Sequence, residues 1–448
     1  MQPYTYIYKP HHLRNFMGVK PFTKTNQSYL LVSTIILILI LLTFFLLQSP
    51  FTSSLNINSK SKAIPKTPYP GCLPPVSISQ DRYPLALYGS NLVYSKLNTN
   101  NGGIRWNYEQ DRLYVWNIGP DYKPNTVDDL TPIQINATGV VLKGFEEDYG
   151  DASPKISDRY IVWTNPVGNN YNINVIDMGL DGILNSTESS NPRVIYSVPV
   201  IHSIPYSEAR VNSINLKGSK VSFTYNSIPT SNSPINPEIG FCDLSLSSGI
   251  GSCSQNNVII FTTGNYSLSK MTGDAYFYLD QNQNIQVLFG EATYSIPGNR
   301  YSPVNYSISS WNPNSVAVTL VHNQIELTDL HESLAIISYQ NKIYGYFYPG
   351  SIPGNLITLS RGQIDTNPKV NVRNDFSSLG NYLVAYSKVT NNTEDLYLGS
   401  LGNGLELKTP FGFIEKPLLD SSSSGNYLYV HEFSGSRYDL YFTECFGI

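Results

Sequence analysis

From position 91 to its end the chain repeats a pair of short strand-like runs, a rhythm that few architectures accommodate. The first runs are Asn91–Ser95, Tyr160–Trp163, Lys220–Tyr225, Asp274–Leu279, Leu334–Tyr339, Tyr382–Ser387 and Tyr427–His431. Their partners include Leu113–Trp116, Ile173–Asp177, Ile239–Asp243, Ile343–Tyr346, Leu396–Gly399 and Leu440–Thr443. Successive first runs begin 69, 60, 54, 60, 48 and 45 residues apart. One hairpin cannot bury its own apolar face, so a hairpin recurring at this period implies small sheets stacked radially. The expected fold is all-β: a seven-bladed β-propeller, with six or eight blades as alternatives. Ser315–Val321 and Gln324–Thr328 form a further pair, too close to Leu334 for a blade of their own, and are read as the inner strand of the fifth blade.

A different signal precedes the repeat. Leu30–Leu47 is eighteen residues without a charge, roughly 27 Å of helix and about the thickness of a bilayer's hydrocarbon core. A cleaved signal peptide would have a shorter apolar region and a small-x-small site, whereas this flank reads Gln48-Ser-Pro-Phe-Thr. An uncleaved transmembrane signal anchor is therefore expected. Residues 1–28 carry Lys9, Arg14, Lys20 and Lys24 and no carboxylate, and beyond the segment the first cation is Lys60. The positive-inside rule then puts the N-terminus in the cytoplasm and the repeat outside. The chain divides into a basic tail (1–28), a transmembrane helix (29–48), a Ser-, Lys- and Pro-rich linker (49–70) and a propeller ectodomain (71–448).

Further features fit an outward orientation. Sequons at Asn136, Asn185, Asn265, Asn305 and Asn391 lie beyond the apolar segment, and one at Asn26 lies on the inner side, where it should go unused. All four cysteines also lie beyond it, which suits disulfides in an oxidising space. Cys242 and Cys253 flank a Ser- and Gly-rich turn and would staple it. The last strand pair ends at Glu444-Cys445, leaving no outer strand for its blade, and Cys72–Ser79 is the spare strand at the other end. If that segment fills the place, Cys72 meets Cys445 and the ring is locked.

The rhythm, for instance Asp158-Arg-Tyr-Ile-Val-Trp followed by Ile173-Asn-Val-Ile-Asp-Met-Gly, resembles the extracytoplasmic propellers that include TolB-like domains. The Ser-Pro-Asp-Gly turn common in that group is absent, as are the Gly-His and Trp-Asp signatures of tryptophan-aspartate repeats. The resemblance implies the architecture and a loose expectation of binding roles. Only 14% of residues are charged, against about 25% in an average soluble protein, and Tyr, Asn and Ser take their place. In this respect the chain resembles surface proteins of thermoacidophilic archaea, where neutral polar groups keep a surface insensitive to pH. A net charge of −4 offers no basic face for nucleic acid.

Two loops follow the second runs of the first two repeats. One carries Asp121, Asn125, Asp128 and Asp129, the other Asp177, Asp181 and Asn185. Clustered oxygens suit Ca²⁺, but neither loop has EF-hand spacing, and Asp, Asn and Gly also set turns. The turn-setting reading outweighs the calcium one. The acidic run Glu146–Asp151 reads as a solvated loop. His331-Glu332 lacks the second histidine of a zincin, and neither a Gly-x-Ser-x-Gly elbow nor a sialidase Asp-box occurs. Trp106 and Trp311 fall in loop-like sequence and are candidate exposed anchors for a sugar or protein. The function expected is a binding or structural module of the cell envelope, engaging a surface protein or polysaccharide. The alternatives are a glycan-acting enzyme with carboxylates at the propeller channel, and a filament or virion surface component.

Overall fold

In the computed structural model, residues 66–448 form one compact unit. The structure describes residues 71–446 apart from 81, 97–111, 136–151, 168–169, 185–189, 200–210, 228–235, 263–269, 280–283, 295–302, 316–317, 324–325, 332–333, 340–341, 348–355, 359–371, 375–381, 391–392, 401–405, 413–416, 423–424 and 434–437. The expected tail, membrane helix and linker lie outside the described residues. Among those described, no helix is long and apolar enough to cross a membrane.

The described strands make seven antiparallel sheets. The first comprises Arg82–Tyr88, Asn91–Lys96, Arg112–Asn117 and Ile133–Gln134. The second comprises Lys155–Ile156, Tyr160–Val167, Asn170–Asp177 and Arg193–Pro199, and the third Val211–Lys217, Lys220–Ser227, Asn236–Asp243 and Ile259–Thr262. The fourth contains Lys270–Leu279, Ile285–Tyr294, Pro303–Trp311 and Val318–Asn323; the fifth Glu326–His331, Leu334–Tyr339, Lys342–Phe347 and Leu356–Thr358. The sixth has Val372–Asn374, Tyr382–Thr390, Thr393–Ser400 and Glu406–Gly412, and the seventh Leu418–Ser422, Gly425–Phe433 and Tyr438–Phe446. The first strand of each sheet touches the first strand of the next, and that of the seventh touches that of the first. The fold is therefore a β-propeller, with those strands innermost.

The seventh sheet is completed by the other end of the domain. Gly71–Cys72 and Val76–Gln80 both pair antiparallel with Tyr438–Phe446, putting Cys72 opposite Cys445 and Val76 opposite Phe442. A Cys72–Cys445 disulfide joins them, and a second disulfide joins Cys242 to Cys253. The Leu73 N–H donates to the Glu444 carbonyl, and the Thr443 hydroxyl donates to that of Leu73.

The core lies between sheets. One apolar cluster joins the seventh and first sheets through Tyr427, Tyr429, Leu92 and Trp116; another joins the second and third through Val162, Ile173, Val221 and Phe223. A second strand thus has neighbours on both faces, which is why Asn91–Ser95 is buried along its whole length, with Leu92–Tyr94 a continuous apolar run. Third strands lie farther from the axis and alternate, as in Arg112–Asn117. In the third sheet, Phe223 lies over its cross-strand partner Gly240, where an added Cβ would fall 2.1 Å from the ring.

The first runs of the repeat are second strands in six of the seven sheets, with Asp274–Leu279 innermost in the fourth. One sequence expectation needs correction. The pair near residue 320 is not one unit of the fifth blade. Val318–Asn323 is the outer strand of the fourth sheet, and only Glu326–His331 is the inner strand of the fifth. The link between one sheet and the next is here as short as a hairpin turn, so spacing alone could not separate the two.

Candidate functional site

In each antiparallel sheet the turn between the first two strands and the loop after the third emerge at the same end. In the first sheet the Ile118 N–H donates to the Ser90 carbonyl, and in the second and third Met178 and Leu244 donate likewise to Arg159 and Ser219. These ends share one face, because each loop reaches back to the preceding sheet. Lys123 of the first loop pairs with Glu444 of the seventh sheet at 3.0 Å. The Tyr122 ring stacks on Tyr427 at 5.6 Å, and its carbonyl accepts from the Tyr429 hydroxyl at 2.9 Å. The second loop offers the Gly182 carbonyl to Asn91 Nδ2 of the first sheet at 2.9 Å. From the third loop, the Cys253 carbonyl accepts from Arg193 of the second sheet at 2.8 Å, and Gln255 Oε1 from the Ser197 N–H at 2.6 Å.

A short motif builds these loops: Asn117-Ile-Gly, Asp177-Met-Gly and Asp243-Leu-Ser. The strand-ending Asn or Asp accepts the N–H two residues on, at 3.1, 2.9 and 2.9 Å, an Asx turn. The residue between is an apolar plug, with Ile118 and Met178 fully buried. Asp121 and Asp181 repeat the turn with Lys123 and Ile183. The third member, around Asp243, was missed from sequence because Ser replaces Gly.

The carboxylates are engaged within these loops. Arg159 grips Asp177 with two hydrogen bonds of 2.8 and 2.7 Å. Desolvation opposes ionisation of Asp177, yet Arg159 and the Gly179 N–H hold its carboxyl below the usual range. Desolvation likewise opposes ionisation of Asp243, but Lys220, Ser245 and Ser219 bring it down to about 2. The Thr126 hydroxyl lies 2.6 Å from Asp128 Oδ1 and lowers that carboxyl. Asp129 Oδ2 accepts the Asn125 N–H at 2.7 Å. Burial opposes protonation of Lys123, but its hydrogen bond to Glu444 is the larger effect and raises it. Among the described residues there is no group of three or more His, Cys, Asp or Glu side chains that could hold a metal ion. The geometry is that of turn-setting side chains that also clasp neighbouring sheets.

Tyr122 and Asn125 adopt the left-handed conformation, at φ 59° and 66°. Asn tolerates this readily, whereas for a bulky Tyr it is strained. Tyr122 is held there by its stacking on Tyr427 and its bond to Tyr429.

Trp311 is not an exposed anchor. It is 2% exposed, stacks against Phe261 at 5.2 Å and donates Nε1–H to the Ser315 carbonyl at 3.0 Å. The third strand of the fourth sheet runs through Trp311, and the turn implied by Asn-Pro begins only at Asn312. Asn305 lies within that same strand, half-buried, opposite Thr293. Trp106, the acidic run and the sequons at Asn136, Asn185, Asn265 and Asn391 lie outside the described residues.

No protein-family model matches the chain, and no curated protein matches it. Solved structures similar to it include the β-propeller domain of the trilobed protease from Pyrococcus furiosus, at 12% identity and TM-score 0.46 over 82% of this chain and 94% of that one. The acylaminoacyl peptidase of Pyrococcus horikoshii gives 11% identity and TM-score 0.47 over 83% of this chain, which spans only 53% of that enzyme. An α-L-arabinanase from Penicillium chrysogenum, solved with arabinobiose, gives 12% and 0.41 over 83% of this chain and 98% of the other.

Proposed function

We propose that the chain is a single-pass membrane protein carrying a seven-bladed β-propeller outside the cell, where it is a binding or structural module of the envelope for a surface protein or polysaccharide. The observation that carries this reading is the pairing of all four cysteines, one bond closing the ring between residues 373 apart. Two disulfides suit an oxidising space, as do the basic tail and the uncharged Leu30–Leu47 segment that precede the domain. A ring locked in this way is a rigid support, and its loops can vary without disturbing the sheets.

The test is made on cells expressing the full chain. Alkaline extraction should leave it in the membrane fraction. External protease should reach the ectodomain but not residues 1–28. A non-reducing peptide map should show Cys72 linked to Cys445. Release by alkali, or free thiols throughout, overturns the reading. The ligand class is sought by binding the solubilised full chain to envelope proteins and polysaccharides, and turnover of a glycan in that assay would replace the binding role with a catalytic one.

A further inference from the structure

Among the described residues, several of the exposed large apolar side chains sit on the loops of the first three sheets. Val127 is 105% exposed and accompanied by Leu130 in the loop of the first sheet. Leu180, 82% exposed, tips the loop of the second, and Ile250, at 86%, joins Leu246 in that of the third. Tyr88, also exposed, adjoins the first turn. All lie on the face defined by these turns and loops. On the opposite end Val167 is exposed, and loops 97–111, 168–169 and 228–235 lie outside the described residues.

The same face receives the chain. Because Gly71–Cys72 runs antiparallel to the last strand, Gly71 sits opposite Phe446, at the end from which the neighbouring loops emerge. Lys123 of the first loop reaches Glu444 there. Leu73, two residues after Gly71, is exposed as well. The first described residue of the domain, Gly71, therefore lies on the face that carries the aliphatic tips.

We infer that this face rests on the lipid bilayer, with Val127, Leu180 and Ile250 dipping into the headgroup region and the opposite face left open to partners. The inference rests on the membrane anchoring proposed above. Aliphatic tips on separate loops bury apolar area at the boundary of headgroups and acyl chains, as amphipathic surface helices do to a depth of about 5–10 Å. Asp121, Asp128, Asp129, Asp158 and Asp181 outnumber Lys123 and Arg159 around the first two loops, so apolar burial on uncharged or zwitterionic lipid is the contact, not attraction to anionic lipid. Exposed apolar side chains on neighbouring loops mark an interaction surface, and only 22 residues (49–70) separate the domain from the expected membrane segment.

The test uses the full chain in phosphatidylcholine vesicles. Single cysteines replace Leu180, Ile250 or, as control, Val167, and are labelled under non-reducing conditions with an environment-sensitive fluorophore. Expected is a blue shift with quenching by nitroxide-labelled lipid for Leu180→Cys and Ile250→Cys, and neither for Val167→Cys. Equal, unquenched emission at all three sites in vesicle-bound protein overturns the inference and leaves the anchor standing. Self-quenching between copies at positions 180 and 250, without lipid quenching, assigns the face to a second copy and also overturns it. Failure of the chain to remain with vesicles after alkaline washing removes the anchor and the inference together.

Discussion

The junction of the seventh sheet with the first and that of the second with the third use the same parts differently. In both, the loop after the third strand of one sheet reaches back to its predecessor, and an apolar cluster fills the gap. At the first junction the predecessor contains both ends of the domain, held by the Cys72–Cys445 bond, and the loop adds the Lys123–Glu444 pair and the Tyr122 stack. At the second, the predecessor is built from four strands consecutive in the chain. There the disulfide lies inside the third sheet, from Cys242 at the end of a strand to Cys253 in its loop, and shapes the surface that Arg193 grips. Neither bond crosses a junction: that of the seventh sheet ties together strands from opposite ends of the domain, and that of the third ties a strand to its own loop.

Removing the links should break this contrast most. In the chain-entropy picture a bond spanning 373 residues is worth about 6 kcal/mol and one spanning 11 about 3. The double variant Cys72→Ser, Cys445→Ser should lower the guanidinium midpoint clearly more than Cys242→Ser, Cys253→Ser, and equal losses would refute the distinction. Gly240→Ala attacks the second junction without touching a disulfide. Its Cβ meets the Phe223 ring, and overpacking of this kind costs about 1–3 kcal/mol. The pair Gly240→Ala, Phe223→Leu should recover part of that loss.

Tyr122 probes the first junction. Tyr122→Ala loses the stack and keeps a side chain at positive φ, whereas Tyr122→Gly loses the stack and relieves the backbone. The glycine variant should be the more stable by about 1 kcal/mol. The smallest effect concerns acid. The folded-state value of Asp243, about 2, lies below its ordinary 3.8. Its stabilisation is therefore present above pH 3.8 and lost as pH falls from there through about 2. An Asp243→Asn variant should show a shallower stability decline across that window than the parent. Lys123, raised by Glu444, works in the other direction, its contribution fading only as pH rises through its raised value.

The second strands were the legible part of the fold, because burial on both faces leaves a continuous apolar run such as Tyr160–Trp163. Inner strands carried little signal: Lys155–Ile156 is two residues long and Val211–Lys217 is half polar. Ring closure could be anticipated from one spare strand and two terminal cysteines, since a sheet lacking its outer strand leaves a place that another segment must fill. Trp311 misled because Asn-Pro marks a turn without saying on which side of it the strand ends. The loop carboxylates of Asp121 and Asp177 were visible as turn chemistry, but the hold of Lys123 on Glu444 was not, because the two are brought together only by closure of the ring. The aliphatic tips were invisible for the opposite reason: Leu180 and Ile250 look like any core residue until their exposure is known.

Closure by the first strand also sets the order of events during synthesis. Gly71–Gln80 precedes every other described strand, yet its partner Tyr438–Phe446 follows them all. At about 5–20 residues per second, an interval of 373 residues keeps the two apart for roughly 20–75 s. Until then the unpaired rim of the growing array is an open strand edge, a template for misassociation. During that interval Cys72 has Cys242 and Cys253 within reach, and its native partner Cys445 is the last of the three to be made.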